Sequence, residues 1–540
     1  MSNKSNLIRN TSFLLIAAII SKVIGVLYRS PLDSIVGSVG MGYSGYAQTA
    51  YFLLLVISSF SIPQAVSIIM SDCLTKGEYK NAQRVFRGSL LYVVVVGGIA
   101  ALFCFFGAQI MLPSNMTGAI PALRILAPTI FLSGILGVFR GYFQSYRNMF
   151  PTSISQIIEQ IFNAVVSLLA AWLFIRSFAA SDEESIAVWG AAGGTVGTGA
   201  GVVVALLFML LVYSLNKPAI KRRIKSDKRS HIMSSKEILR LILMMVTPII
   251  VSAFIYNVSG YLNSYIFSEI MGRKGLSELA ISALSAEYTQ YFMTIINVPM
   301  TLSNAASTSL IPEIAALYSK KDIRGANKIA DDAIQMSMFI SIPATIGIIV
   351  LAHPIVSLLF RNTTGTAGYL LMIGAVTVVL TSLSNITNGM MQGIGKPRVP
   401  MKNAAIALGL DIILVVVLLF TTNLGIYAVL IAMLAYSTLI CVLNDLSVKK
   451  HLGYKNKWRG AYLNPFLASL PMGLSAWAVY QLLYMLLHMN SIALFIAIIV
   501  AVVVYMITYV MISRPTPEEL SKIPGGNLIN KVIDKLPWGL

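Results

Sequence analysis

Apolar runs of about 18 residues or more, each long enough to cross a bilayer as a helix, recur along the whole chain between short polar turns. In order they predict spans near 8–38, 43–70, 88–112, 120–146, 152–175, 186–215, 238–268, 281–317, 333–360, 367–393, 401–421, 425–447, 462–487 and 491–512. The first is expected to kink at Pro31, and the eighth, too long for one simple span, to bend at Pro299. The glycines between Gly190 and Gly201 predict close helix approach in the sixth. The fold class read from this pattern is an all-α polytopic membrane protein with 14 transmembrane helices.

The polar turns repeat. Gly141-Tyr142-Phe143-Gln144, followed by Pro151, is echoed by Gly389-Met390-Met391-Gln392, followed by Pro400. Glu78–Arg84 is likewise echoed by Asp322–Lys328. An even number of helices per half makes such repeats parallel, which predicts two pseudo-symmetric six-helix lobes around a central cavity. The expected organisation is an N-terminal lobe over 1–215, a basic link over 216–237, a second lobe over 238–447, two further helices within 448–512 and a polar tail over 513–540.

Composition agrees, at 56% hydrophobic and 11% charged residues. A net charge of +19 would suit nucleic acid, but its distribution argues for topology. Of the 40 Lys and Arg, all but eight fall on one side when the N-terminus is placed in the cytoplasm. Arg176, Arg273, Lys274 and Arg361 fall outside, and Lys22, Arg29, Arg124 and Arg140 lie within spans. By the positive-inside rule both termini are cytoplasmic, and no nucleic acid partner is implied. The link, with Lys217, Lys221, Arg222, Arg223, Lys225, Lys228 and Arg229, is expected to contact anionic lipid. The N-terminus, with Lys4 and Arg9, resembles a signal peptide but lacks a cleavage site, and reads as the first helix. Cys73, Cys104 and Cys441 show no metal or redox spacing.

Candidate chemistry starts with Lys22 and Arg29. Seven residues apart on a helix, they share one face at about 10 Å. A cation near the bilayer centre costs about 2.5–3.5 kcal/mol and usually faces a cavity or a partner. The alternative is that Arg29 ends the helix and snorkels to the interface. Tyr28 adjoins this face, and Arg140 is either a cavity cation or an interfacial anchor. Asn257 and Asn263 on the seventh span, with Tyr288 and Asn297 on the eighth, are candidate cavity residues; hydrogen bonding between helices would also explain them. Glu159, Asp411 and Glu287 are possible coupling carboxylates; pairing with a cation or a helix end would equally explain Glu159 and Asp411.

The run Ser21–Leu32, then Gly42-Tyr43-Ser44-Gly45-Tyr46, Ser61-Ile62-Pro63 and Leu310–Ala315, resembles the stage V sporulation protein B group of Gram-positive bacteria. That group sits in the multidrug/oligosaccharidyl-lipid/polysaccharide exporter superfamily beside the MurJ-type lipid II flippases, and the resemblance covers about 1–512. It implies a MATE- and MurJ-like fold of two six-helix lobes plus two helices. It further implies export of an undecaprenyl-linked cell-wall or polysaccharide precursor through the bacterial cytoplasmic membrane, in sporulation or growth. Such flippases resemble Ser21–Gly25 closely but carry an Arg-Asp pair where this chain has Tyr28-Arg29. They also carry a basic residue where Thr294 stands here.

Two cations at this spacing suit a diphosphate, and the amides and tyrosines of the seventh and eighth spans suit sugars. The leading expectation is therefore a monomeric flippase, not an enzyme, for a polyprenyl-diphosphate-linked glycan. It would need no metal and no cofactor, drawing on the membrane potential or an ion gradient. A cation-coupled multidrug antiporter is the alternative, disfavoured because such antiporters usually carry buried acids where this first helix is cationic. A membrane glycosyltransferase or polymerase would need a large catalytic external loop, and the dispersed His231, His353, His451 and His488 make no general-base constellation.

Overall fold

The computed structural model describes residues 17–60, 62–227, 232–308, 310–454 and 458–516. The start of the first expected span, link residues 228–231 and the tail beyond 516 lie outside the described residues. Among the described residues every regular element is helical, as lipid demands of a backbone that must satisfy its own polar groups. Eleven of these helices are long and apolar enough to cross a membrane. They become twelve if Thr366–Gly374 and Val376–Gly393, bent by 48°, make one span. The other two expected spans are seen as shorter pieces. The first shows only as Ala17–Leu27 before Arg29–Leu55 begins. The eighth is divided into Glu278–Ala286, a wider-turned stretch Glu287–Phe292, and Met293–Thr308.

The expected kink in the first span appears as an interruption at Tyr28. Pro31 has no N–H to give the carbonyl of Leu27. Around the gap the ladder persists, with Tyr28 N–H bonded to the Ile24 carbonyl and Leu32 N–H to the Tyr28 carbonyl, both at 3.1 Å. Lys22 and Arg29 therefore keep helical register. A second break, absent from the sequence reading, falls at Gly37 with φ 74° and ψ 170°, a conformation open to glycine and strained for other residues. Pro299, where the bend is expected, lies inside Met293–Thr308, and a separate departure from α geometry precedes it as the π-type stretch Glu287–Phe292. Such wide turns recur at functional sites.

The chain divides into two compact units, Met1–Gln290 with Val415–Ile426, and Tyr291–Leu414 with Tyr427–Leu540. In the first, Ile62, Met70, Phe86, Leu136, Phe139, Met209 and Val246 belong to one apolar core. Phe150–Phe178 packs along Glu183–Ser226 through Gly193, Gly197 and Gly201, which face the backbone of Ala170, Asn163 and Glu159. Small residues every fourth position let the two helices approach that closely. Glu183–Ser226 is 44 residues long, about 66 Å at 1.5 Å per residue. It therefore runs on through Lys217–Lys225, read from sequence as part of the link.

In the second unit, Ile334, Met338, Met390 and Val448 share a core. Asn464–Leu487 and Asn490–Ser513 pack against Ile323–Val350 around Phe339 and Met472, where Tyr505 donates its hydroxyl to the Phe339 carbonyl at 2.9 Å. Their other side exposes Leu474, Trp477, Phe495, Ile499 and Met511, an apolar face fit for lipid. The first glycine of the repeated turn packs closely in each unit, though against different groups. Gly141 presses on Pro63 and Val66, and Gly389 presses on Ile311.

Candidate translocation site

Arg29 stands at the start of Arg29–Leu55, half-buried. Its Nη1 donates to Gln290 Oε1 at 2.7 Å and lies 3.5 Å from the Gln290 carbonyl. Gln290 belongs to the π-type stretch and is itself buried. The wider turn aims this amide at the cation, so Arg29 has a partner and does not simply snorkel. Lys22 is exposed on Ala17–Leu27 and within electrostatic range of Arg29. Tyr28 fills the interruption between them and is half-buried. Across from Lys22's helix, Gly25 faces Gln160, where an added Cβ would sit 4.0 Å from Nε2.

The wall around Arg29 is set by small residues. Gly42 faces the backbone of Ser282, and Gly45 faces Thr289 and Gln290. Hydroxyls lock the approach: Tyr46 to Ser285 at 2.7 Å, and Ser282 Oγ donating to the Val39 carbonyl at 2.7 Å. Further along, Glu278 accepts from Gly118 N–H at 2.8 Å and Glu269 from Ser114 N–H at 2.7 Å. Tyr261 donates to the Met111 carbonyl at 2.6 Å, and Ser268 to Asn115 Oδ1 at 2.7 Å. The helices Ser235–Arg273 and Glu278–Ala286 are thus fastened to the N-terminal helices by a polar seam. Sequence reasoning missed Gln290's role, Glu269 and Glu278, because their partners are remote in sequence.

The remaining candidates scatter. Asn257 is exposed and bonds back to the Ala253 carbonyl at 2.7 Å on its own helix. Asn263 is buried beside Ser259, 3.4 Å away, and Tyr288 is buried in the same unit. Glu287 is fully buried next to Tyr288. In the second unit Asn297 is exposed and Asp411 fully buried. Arg140 and Glu159 answer one another: Nη2 to Oε2 is 2.6 Å, with Nε donating to Ser155 at 3.0 Å. Their side chains are 16% and 28% exposed, so removing one partner strands a poorly hydrated charge. Arg140→Ala is expected to cost about 1–3 kcal/mol, below the range for a fully buried pair. Melting of the detergent-solubilised protein checks this. The Arg140→Ala/Glu159→Gln double variant should melt above Arg140→Ala alone, and a single variant melting like the parent would refute the pairing.

The described residues thus form a many-helix membrane fold with a partnered arginine at a break in its first helices, beside an exposed lysine. A family model described as Lipid II flippase MurJ matches residues 79–513, and the chain belongs to that family. It is 23% identical over 467 residues to the Lipid II flippase MurJ of Bacillus subtilis (strain 168), covering 84% of each chain. Against the Stage V sporulation protein B of the same organism it is 23% identical over 453 residues, covering 83% of this chain and 85% of that one. The solved structure "Lipid II flippase MurJ, inward closed conformation" matches with a TM-score of 0.64 and 17% identity, covering 92% of this chain and 98% of that one. The expected relation to MurJ-type flippases, which are transporters, and an all-helical MurJ-like fold are borne out.

Proposed function

We propose that this chain flips a polyprenyl-diphosphate-linked glycan, a lipid II-like cell-wall or polysaccharide precursor, across the bacterial cytoplasmic membrane by alternating access. The observation that carries the reading is the family match over 79–513. Lys22 and Arg29 precede that segment, so their role rests on this chain's own chemistry. In this reading they receive the diphosphate. Its oxygens take over guanidinium N–H groups, and Gln290 holds the fork in orientation. Within the first unit, Asn257, Asn263 and Tyr288 serve the glycan and Glu287 is the candidate for ion coupling. Arg140 and Glu159 brace their lobe.

The proposed frame has fourteen spans, both termini in the cytoplasm, and lobes over 1–215 and 238–447 that part and close. The apolar face of the last two helices shelters the polyprenyl tail. The repeated turn, Gly141–Gln144 before Pro151 and Gly389–Gln392 before Pro400, supports the two-lobe frame. The cationic first helices favour an anionic lipid over the cationic drugs of a multidrug antiporter. The test is rescue of a strain depleted of its own flippase, with mass spectrometry of lipids retained on the purified protein. Rescue together with a polyprenyl diphosphate among the retained lipids is expected. Membrane insertion without rescue, and with no such lipid retained, would overturn the proposal.

A further inference from the structure

A cavity of about 250 Å³ opens at one end of the first unit, away from Arg29 in sequence and absent from the transport reading. It lies between the last turn of Ile120–Ser145 and the basic extension of Glu183–Ser226. Its lining includes Tyr142, Tyr146, Asn148, Asn216, Ile220 and Arg223, and holds no carboxylate. The floor is rigid. Tyr142 packs edge-on to Phe86 at 4.8 Å and to Tyr213 at 5.4 Å, and Phe86 stacks on Tyr213 at 5.3 Å. Arg223 lies over the face of Tyr146, 5.3 Å from the ring centre. A guanidinium stacked in this way keeps its N–H edge available to a phosphate. Asn148 spends its side-chain oxygen on the Phe150 N–H at 3.3 Å, which leaves its amide donors. The pocket therefore offers donors and one fixed cation.

Arg147, next to Asn148, is exposed, and so are Lys217, Lys221, Arg222 and Lys225 on the helix that carries Arg223. Such a basic neighbourhood raises the local concentration of anions. Burial explains the aromatic floor as a core, but not an arginine clamped on a ring at the edge of a lining that, among the described residues, includes no Asp or Glu. We infer that this pocket binds a phosphate ester, either the headgroup of an anionic membrane lipid or a soluble phosphate. Juxtamembrane basic residues favour the lipid source.

The experiment uses the full chain in nanodiscs and in an uncharged detergent. Nanodiscs of phosphatidylcholine doped with phosphatidylglycerol test the lipid, read as copies retained in native mass spectrometry. Glycerol 3-phosphate in detergent tests the soluble source, read by titration calorimetry. Arg223→Ala should lower retained phosphatidylglycerol about tenfold, one lost charge-assisted hydrogen bond, and Arg223→Lys should restore part of it. Arg222→Ala removes the same charge from outside the lining and should change retention little. Retention of the lipid with no binding of glycerol 3-phosphate assigns a headgroup site; the reverse assigns a soluble phosphate. Binding of neither, or equal losses in Arg222→Ala and Arg223→Ala, overturns the inference. Transport-dead variants at Arg29 should leave this binding intact, so the two readings fail separately.

Discussion

Arg29→Ala is expected to abolish rescue of a flippase-depleted strain while leaving the protein inserted and monodisperse. The arginine can meet a diphosphate with two parallel donors, each charge-assisted bond contributing about 1.5–3 kcal/mol. Losing both weakens binding by a factor of roughly 100 or more. Arg29→Lys keeps a point charge without the fork and should retain only part of the activity. Lys22→Ala should reduce binding of a diphosphate-linked lipid more than binding of an uncharged polyprenol. Gln290→Ala separates orientation from charge: the cation remains but its 2.7 Å acceptor is gone, so binding should fall less than in Arg29→Ala. Complementation and lipid retention are measured side by side. Full rescue by both alanine variants at Lys22 and Arg29 would end the cationic-site hypothesis.

What could be read in the sequence follows from how local each signal is. Apolar runs are local, so the spans emerged from the chain alone. The expectation that Gly190–Gly201 serves close packing was also local, since small residues at helical spacing define a groove. Arg29 was singled out for its cost in lipid, yet its partner Gln290 lies 261 residues away, and no periodicity points to a pair at that distance. The π-type turn that carries Gln290 has no signature as plain as a proline, so it went unread.

Polar residues on helices proved hard to sort into cavity and contact. Asn257 turns back on its own helix, Tyr288 is buried, and Glu278 closes on the Gly118 amide. Arg140 and Glu159, 19 residues apart on adjacent spans, carried no sign in the sequence that each was the other's partner. Paired, they neutralise one another. The glycines of Gly42–Tyr46 carried a family resemblance in the sequence, and only the packing against Ser282, Thr289 and Gln290 gives the physical reason for them.

That packing supports the second large expected effect. A Cβ at Gly42 would fall inside the contact radius of the Ser282 backbone oxygen. A Cβ at Gly45 would meet Thr289 Oγ1 at 2.5 Å and Gln290 Nε2 at 3.0 Å. Overpacking of this kind costs about 1–3 kcal/mol, and more where the obstructing atom cannot rotate away. Gly42 opposes backbone, whereas Gly45 opposes side chains. Gly42→Ala should therefore separate Arg29–Leu55 from Glu278–Ala286, weaken the Tyr46–Ser285 and Val39–Ser282 bonds, and abolish rescue of the depleted strain. Gly45→Ala should be impaired less, and Thr289→Ala should restore it by removing the hydroxyl in the way. No such partner exists for Gly42→Ala, because Ser282 keeps its backbone oxygen whatever side chain it bears. The measurements are complementation and the melting temperature in detergent, with membrane abundance as the control for insertion. Equal defects in the two glycine variants, with no repair by Thr289→Ala, would mean that close approach along this seam is not what the glycines provide.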